Sequence, residues 1–552
     1  MLVPTRIGAL ALLLLAVVLL FLPAAGLRDW WYPDEPDVAL PALEMQARGD
    51  WAVPTHNDTA WLDYPPLAYW GARVVGLVSG EITPFGTRVP MVLFACLLVF
   101  ATVRLGDRLL DQRSALIAGV VLIATPIFWF HATNLQVDLG YAAFQAAGLA
   151  LYVAGDARSG APSVYYRLAA FACFGVAILG KGPLGLLLPG LILTLWHAWN
   201  REWRRLMALA PLSLVAIAVA LPWYLALCNK LGADFVFNQL YLQNFDRFGQ
   251  SQRGHGGKGF FYYFINLWVD LGVWSALIIP LLWSGFRNRR TDRSWRLLII
   301  MMLAPLIFFT LASTKRNVYL LPIYPAIALL VADWLMRAEL TWELAWRTWS
   351  ARIIAGILLV AGVVLLLAVV WWQQVPWPKN IHLPADTLAA LRWPGLVLGL
   401  WLVIIAGWSF WAALAARFSA WFGLAATGVI GYSLAMWLVL PVIAPALTYR
   451  PAAQWLAERV PAGGVVGFYS PGREALKRPS WLCHLGEGRR LKFLATPAEA
   501  SAWLAADPQR LVLTEPTRRK APMPEQVVTI IRWRISSDQW AVLSAAAAVK
   551  PH

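Results

Sequence analysis

The feature that most constrains this chain is a succession of apolar stretches, each close to 20 residues long. In hydrocarbon the backbone must satisfy its own polar groups, so such stretches read as membrane-spanning helices. About thirteen candidates of this length begin near residues 7, 88, 115, 135, 164, 183, 205, 264, 297, 319, 352, 394 and 420. Charged residues make up 14% of the chain and hydrophobic ones 59%, against roughly 25% charged in soluble domains. The expected fold class is an all-α polytopic membrane protein. The 32 Trp suit rings seated at two membrane–water interfaces. A net charge of +16 does not point to nucleic acid, because most Arg lie in short loops between apolar stretches. Cys96, Cys173, Cys228 and Cys483 are too few for a disulfide framework and lack metal-site spacing. Residues 7–27 resemble a signal peptide, with Arg6 before the apolar run and Ala24-Ala25 near its end. The run is long enough to span and many more follow, so we expect it to be retained as the first helix.

Basic residues cluster in alternate loops, at 104–113, 158–167, 201–205, 287–296, 337–352 and 417. The intervening loops, such as 131–136 and 313–317, are poorer. The positive-inside rule places the richer set in the cytoplasm. Loops at 28–87, around 180, 226–263, 313–318 and 372–393 then share the extracytoplasmic face. Residues 1–449 are expected to form the membrane domain and 450–552 a small extracytoplasmic α/β domain. In that tail, strand-like runs (465–469, 510–514, 527–532) alternate with helical patterns (451–459, 497–506).

The unusual polar residues all fall on the inferred outer face. Arg28-Asp29-Trp30-Trp31-Tyr32-Pro33-Asp34-Glu35-Pro36-Asp37 follows the first stretch, and Asp63-Tyr64-Pro65-Pro66 comes later in the same loop. Carboxylates at the end of a membrane helix are costly unless they face water, a cation or a substrate. Asp138 opens the fourth stretch. Lys181 sits in Gly180-Lys181-Gly182-Pro183, and Lys315-Arg316 occupies a very short outer loop, against the orientation rule. An anion would compensate, with Arg as a bidentate clamp and Lys as a point charge.

Together these segments resemble GT-C membrane glycosyltransferases, in particular bacterial lipid A aminoarabinose transferases and the wider protein O-mannosyltransferase-like group. The resemblance rests on Tyr32-Pro33-Asp34-Glu35, Asp63-Tyr64-Pro65-Pro66-Leu67-Ala68-Tyr69-Trp70 and Phe85-Gly86-Thr87-Arg88-Val89-Pro90. It continues through Gly180-Lys181-Gly182-Pro183, Asn244-Phe245-Asp246-Arg247-Phe248 with Gly254-His255-Gly256, and Ser313-Thr314-Lys315-Arg316-Asn317-Val318-Tyr319. Tyr64 stands where the family carries Lys, and Asp37 or a neighbour stands near a family Arg. The resemblance implies transfer of a sugar from a polyprenyl phosphate (undecaprenyl phosphate in bacteria) to lipid A, another envelope glycan or a protein hydroxyl, at the periplasmic face of a bacterial inner membrane.

A phosphate leaves readily, so the chemistry needs a base near the acceptor oxygen and cations around the donor. Asp34 is the candidate base, with Glu35 and Asp138 as further catalytic carboxylates; the competing reading makes them charges in the first turn of helices. Lys315, Arg316, Tyr319, Arg247, Lys181 and Tyr64 are candidates for the donor phosphate. Snorkelling at the headgroups is the alternative for the Lys315-Arg316 pair, a helix kink for Lys181, and a structural part is expected of Arg88. The resemblance also implies a divalent metal, Zn²⁺ or Mn²⁺, held by His255 with Asp63 or Glu35; His255 donating to phosphate is the other reading. Residues 251–258 read as a glycine-hinged lid. A transporter or flippase of lipid-linked sugars would show ionisable groups near the bilayer midplane and pseudo-symmetric halves, and this sequence has its polar motifs at one rim. A scaffold of inert helices would leave the carboxylates and the Lys-Arg loop without a purpose.

Overall fold

A computed structural model describes residues 6–31, 34–242, 258–337, 340–374, 383–469, 478–486, 488–515, 524, 527–535 and 538–545. Each expected apolar stretch is helical. Among the described residues ten helices are long and apolar enough to cross a membrane, eleven if the bent pair Gln112–Ile123 and Pro126–Thr133 is one span. The chain is a multi-pass membrane protein, but thirteen spans is an overcount by that measure. The Asp138–Asp156 helix has 19 residues yet carries Tyr141, Gln145, Tyr152 and an Asp at each end, and most of it is buried. Interior helices need not be as apolar as lipid-facing ones. The Leu184–Trp199 helix has 16 residues, about 24 Å at 1.5 Å per residue, short of the ~30 Å hydrocarbon core. The bent pair turns by 66° at Thr125-Pro126, where the residue before proline leaves the helical region (φ −89°, ψ 127°), as proline's ring demands.

The antiparallel helices Asp138–Asp156 and Gly160–Lys181 pack closely. Gly148 makes the approach possible, since a Cβ there would lie 2.9 Å from the Ala170 carbonyl oxygen. At the end of the bundle near Arg205 and Arg293, ion pairs lock several helices together. Arg205 and Arg293 both meet Asp156 (3.0 and 2.7 Å) and Glu202 (3.0 and 2.9 Å). Arginines that the sequence offered only as orientation signals thus also carry structure.

At the opposite end, the segment between the first two spans folds into the helix Asp34–Arg48, a hairpin and the helix Leu67–Ser79. The hairpin strands β1 (Thr55–His56) and β2 (Thr59–Ala60) are joined by Asn57-Asp58, both at positive φ (53° and 62°). Asn and Asp tolerate this left-handed turn better than most residues. The segment is anchored by Glu35. One carboxylate oxygen accepts from Arg88 Nε (2.8 Å) and the Leu135 amide (2.8 Å); the other accepts from Arg88 Nη2 (2.8 Å), the Trp31 amide (2.7 Å) and Arg28. Burial works against the charge, but Arg88 and Arg28 outweigh it and hold the Glu35 pKa down to about 2 from an ordinary 4.5. A depressed carboxylate stabilises the fold fully above its unfolded pKa and loses that contribution as the pH falls toward 2.

The C-terminal domain is a five-stranded sheet in the order β4-β3-β5-β7-β6. Here β3 is Val465–Tyr469, β4 Arg490–Phe493, β5 Val512–Thr514, β6 Val527–Ile535 and β7 Asp538–Ala545. β4–β3–β5 are parallel, while β7 is antiparallel to both β5 and β6. Tyr449, Trp481 and Trp540 pack edge to face in its core, with ring centroids 5.1–6.1 Å apart. This domain touches the segment that carries Glu35, so both lie at the same end of the bundle. Removing one partner of a buried ion pair leaves an uncompensated charge and costs about 3–5 kcal/mol. Arg88→Ala should therefore lower the thermal unfolding midpoint of the detergent-solubilised protein by several degrees or prevent folding, and Arg88→Lys should recover only part of the loss.

Candidate active site

Four elements bring the site together. Asp34 opens the Asp34–Arg48 helix, where three carboxylates in the first turn favour the helix dipole. Asp138 opens its helix at the level where the neighbouring antiparallel helix ends on Lys181. Arg316 precedes a 3₁₀ turn, Asn317–Ile323, after the span Arg293–Leu311 has ended.

Arg316 Nη2 donates to Asp34 Oδ2 at 2.7 Å, and Gln136 Nε2 donates to the same oxygen at 3.2 Å. The Asp34 side chain keeps about a third of its exposure (31%) while pinned on one side. The arginine loop is set by its own amide, which donates to the buried Tyr263 hydroxyl at 3.3 Å. Burial opposes the Arg316 charge, but Asp34 and the nearby Tyr64 hold its pKa above the ordinary arginine range.

Beside this pair lies a second one, buried, between Lys181 and Asp138. The Lys181 ammonium also sits 4.2 Å from the centre of the Tyr319 ring and 5.6 Å from that of Tyr141. Aromatic faces stabilise a desolvated ammonium in this geometry. A cavity of about 300 Å³ opens against Lys181, Asp63, Tyr64, Thr314 and Tyr319. Its remaining walls are mainly apolar, with Leu184, Leu187, Trp223, Leu227 and Phe308 among them. The cavity thus combines a lysine, a carboxylate and hydroxyls with a mainly apolar wall.

Of the residues expected at the site, the structure joins Asp34 with Arg316 and Asp138 with Lys181, and places Asp63, Tyr64 and Tyr319 on the same cavity. Lys315 is buried and spends one donor on the Ala312 carbonyl at 2.6 Å. Glu35, expected among the catalytic carboxylates, faces inward with both oxygens engaged, because Arg28 and Arg88 draw it into the interior. It is an anchor, and Arg88 is structural as expected. Arg247, His255 and the expected lid up to residue 257 lie outside the described residues. Among the described residues no group of three or more His, Cys, Asp or Glu side chains is placed to hold a metal.

Sequence reasoning missed Gln136, which steadies Asp34, and the interior position of Thr314 and His131. The Gln136 Oε1, Thr314 Oγ1 and both ring nitrogens of His131 are buried without a hydrogen-bond partner among the described residues. Polar atoms left unpaired inside a protein mark a site that water or a ligand completes. The signal available in advance was only that these residues flank Asp138 and Lys315.

Residues 63–225 match the family described as dolichyl-phosphate-mannose-protein mannosyltransferase. The chain is 28% identical over 318 residues to the undecaprenyl phosphate-alpha-4-amino-4-deoxy-L-arabinose arabinosyl transferase of Erwinia tasmaniensis, covering 57% of each chain. It is 29% identical over 338 residues to the protein of that name from Pectobacterium carotovorum, covering 60% of this chain and 59% of the relative. The aligned region thus spans about three-fifths of these relatives' length. Among solved structures, ArnT from Cupriavidus metallidurans bound to undecaprenyl phosphate superposes with a TM-score of 0.77 at 20% identity, over 98% of this chain and 99% of that one. The fold is of the GT-C type. An oligosaccharyltransferase from Archaeoglobus fulgidus shares it more distantly, with a TM-score of 0.52 at 13% identity, over 92% of this chain and 69% of that one.

Breaking one member of the Lys181–Asp138 pair should strand a buried charge, whereas replacing both with apolar side chains removes the problem. Lys181→Met and Asp138→Leu should each lower the unfolding midpoint, and the double variant should lie within about 1 kcal/mol of the parent. A double-mutant cycle by thermal unfolding checks this.

Proposed function

We propose that the protein transfers a sugar from a polyprenyl-phosphate donor to an acceptor hydroxyl or phosphate, most simply on lipid A or another envelope glycan. The observation that carries this reading is the cavity itself. A largely apolar cavity of about 300 Å³ is lined also by Lys181, Asp63, Tyr64 and Tyr319, and Arg316, in the turn between the lining residues Thr314 and Tyr319, pairs with Asp34. That shape suits a long hydrocarbon tail with a phosphate at its head. In a bacterium the site and the C-terminal domain would face the periplasm from the inner membrane, as the basic loops at the far end of the bundle imply.

The donor phosphate brings negative charge to two cations already paired with carboxylates. Lys181 and Arg316 turn toward it, Tyr64 and Tyr319 add hydroxyl donors, and Lys315 shapes the turn that presents Arg316. Asp34, released from Arg316 and still oriented by Gln136, faces the acceptor. The acceptor oxygen attacks the anomeric carbon, and the bond from that carbon to the phosphate oxygen breaks. Polyprenyl phosphate departs held by the cations, and a hydroxyl acceptor loses its proton to Asp34. The cations act on charge that grows on the leaving phosphate, where preorganised donors are most effective.

Asp34→Asn keeps the shape and removes the base. It should lower transfer to a hydroxyl acceptor by about 10²–10⁴-fold while leaving polyprenyl-phosphate affinity within about twofold, a change under half a kcal/mol. Lys181→Ala should weaken that affinity by about tenfold or more, close to 1.4 kcal/mol. Reconstituted protein, polyprenyl-phosphate sugar and lipid A, followed by mass spectrometry, provide the readout. A variant Asp34→Asn as active as the parent would discard this mechanism. Comparing envelope lipids and glycans with and without the protein identifies the acceptor.

A further inference from the structure

The C-terminal domain grips the segment that carries Asp34 at three places. The tip of the hairpin is held on β4, the edge strand of the sheet: Asn57 Nδ2 donates to the Leu491 carbonyl (2.8 Å), and the Leu491 amide donates to Asn57 Oδ1 (3.0 Å). Further along, the helix Arg478–Leu485 packs on the helix that Asp34 opens, and the Cys483 thiol lies 3.8 Å from the Pro36 carbonyl oxygen.

The third place is Asp29. Its carboxylate accepts from Thr448 Oγ1 (2.6 Å), Arg450 Nε (3.1 Å) and the Trp30 amide (2.9 Å), and the Trp30 ring packs against His484 (5.4 Å between centroids). His484 Nε2 lies 3.4 Å from the same Asp29 oxygen that Arg450 Nε meets at 3.1 Å, and burial pushes the His484 pKa down to about 4. The carbonyl oxygen of Asp29 accepts from Arg88 (2.7 Å) and Arg28 (3.1 Å), the two residues that hold Glu35 beside Asp34. A continuous path of hydrogen bonds therefore runs from Arg450 through Asp29 and Arg88 to Glu35, one residue from the candidate base.

We propose that the C-terminal domain, with the Thr448 turn that leads into it, is a positioning element of the transfer reaction, in which Thr448 and Arg450 act through Asp29 to hold Asp34 in register with Arg316. This rests on the reaction proposed above. Arg450 touches neither the cavity nor Asp34, so its effect falls on the geometry of the base and not on the donor. Residues of the positioning set differ in this from Lys181, which meets the donor directly.

The test uses the full chain in lipid nanodiscs with the Arg450→Ala and Thr448→Val changes combined. Amide hydrogen exchange across residues 34–48 should rise by about tenfold as local opening becomes easier. Turnover should fall by about tenfold while the Kd for polyprenyl phosphate stays within about twofold. Arg450→Lys, which keeps the charge, should restore part of both changes. Unchanged exchange across 34–48 overturns the proposal, as does a Kd that weakens in step with turnover. If the parent protein transfers no sugar, the reaction itself is refuted and the exchange measurement still decides whether Arg450 holds the Asp34 helix.

Discussion

Everything at the active end of this molecule hangs on one buried carboxylate between two buried guanidiniums. Glu35, Arg28 and Arg88 would each be costly to desolvate alone. Together they form a compact unit in which the carboxylate oxygens receive three arginine contacts at hydrogen-bond distance and two backbone amides. Because Arg88 also donates to the carbonyls of Ala25, Arg28 and Asp29, the unit ties the end of the first span to the second. It thereby fixes where the next helix starts. Asp34 sits one residue earlier on that helix, at the boundary between this interior anchor and the open site.

The same physics recurs outward with weaker burial. Lys181 and Asp138 neutralise each other where they meet the cavity, and Arg316 and Asp34 do so at a more exposed position. Lys181 is the member of these pairs that lines the cavity, and a phosphate would offer it more acceptor oxygens than one carboxylate does. The ends of three helices and one short turn deliver these groups from four distant parts of the chain. That arrangement explains why the charges sit at helix ends: polar side chains at those positions reach the rim without crossing the hydrocarbon.

Much of the architecture was legible in the amino-acid sequence because apolar length is a local property. The helices begin close to where hydropathy rises, and β3 and most of β6 coincide with the alternating runs of the tail. The count of spans was less legible, because interior helices such as Asp138–Asp156 trade lipid-facing leucine for Gln and Tyr that only neighbouring helices can accommodate. β7 was missed since its buried residues Trp540, Ala541, Val542 and Leu543 run consecutively and do not alternate with polar ones. At the site, Asp34 and Glu35 are adjacent carboxylates in one helical turn, and nothing local separates anchor from base. The distinction comes from Arg28 and Arg88, 7 and 53 residues away from Glu35. Likewise the partner of Lys181 lies 43 residues upstream. Pairing across such distances is a product of helix packing, which motif spacing does not encode.

In the proposed mechanism a phosphate-headed lipid occupies the cavity with its head at Lys181, where Arg316 can reach it. A cryo-electron microscopy map of the protein with polyprenyl phosphate would test it most directly. Phosphate density is expected within about 4 Å of the Lys181 ammonium, the reach of a close ion pair, and tail density along Leu187, Trp223 and Leu227. Phosphate density at the other end of the bundle, or a tail outside this cavity with Lys181 still paired to Asp138, would contradict it.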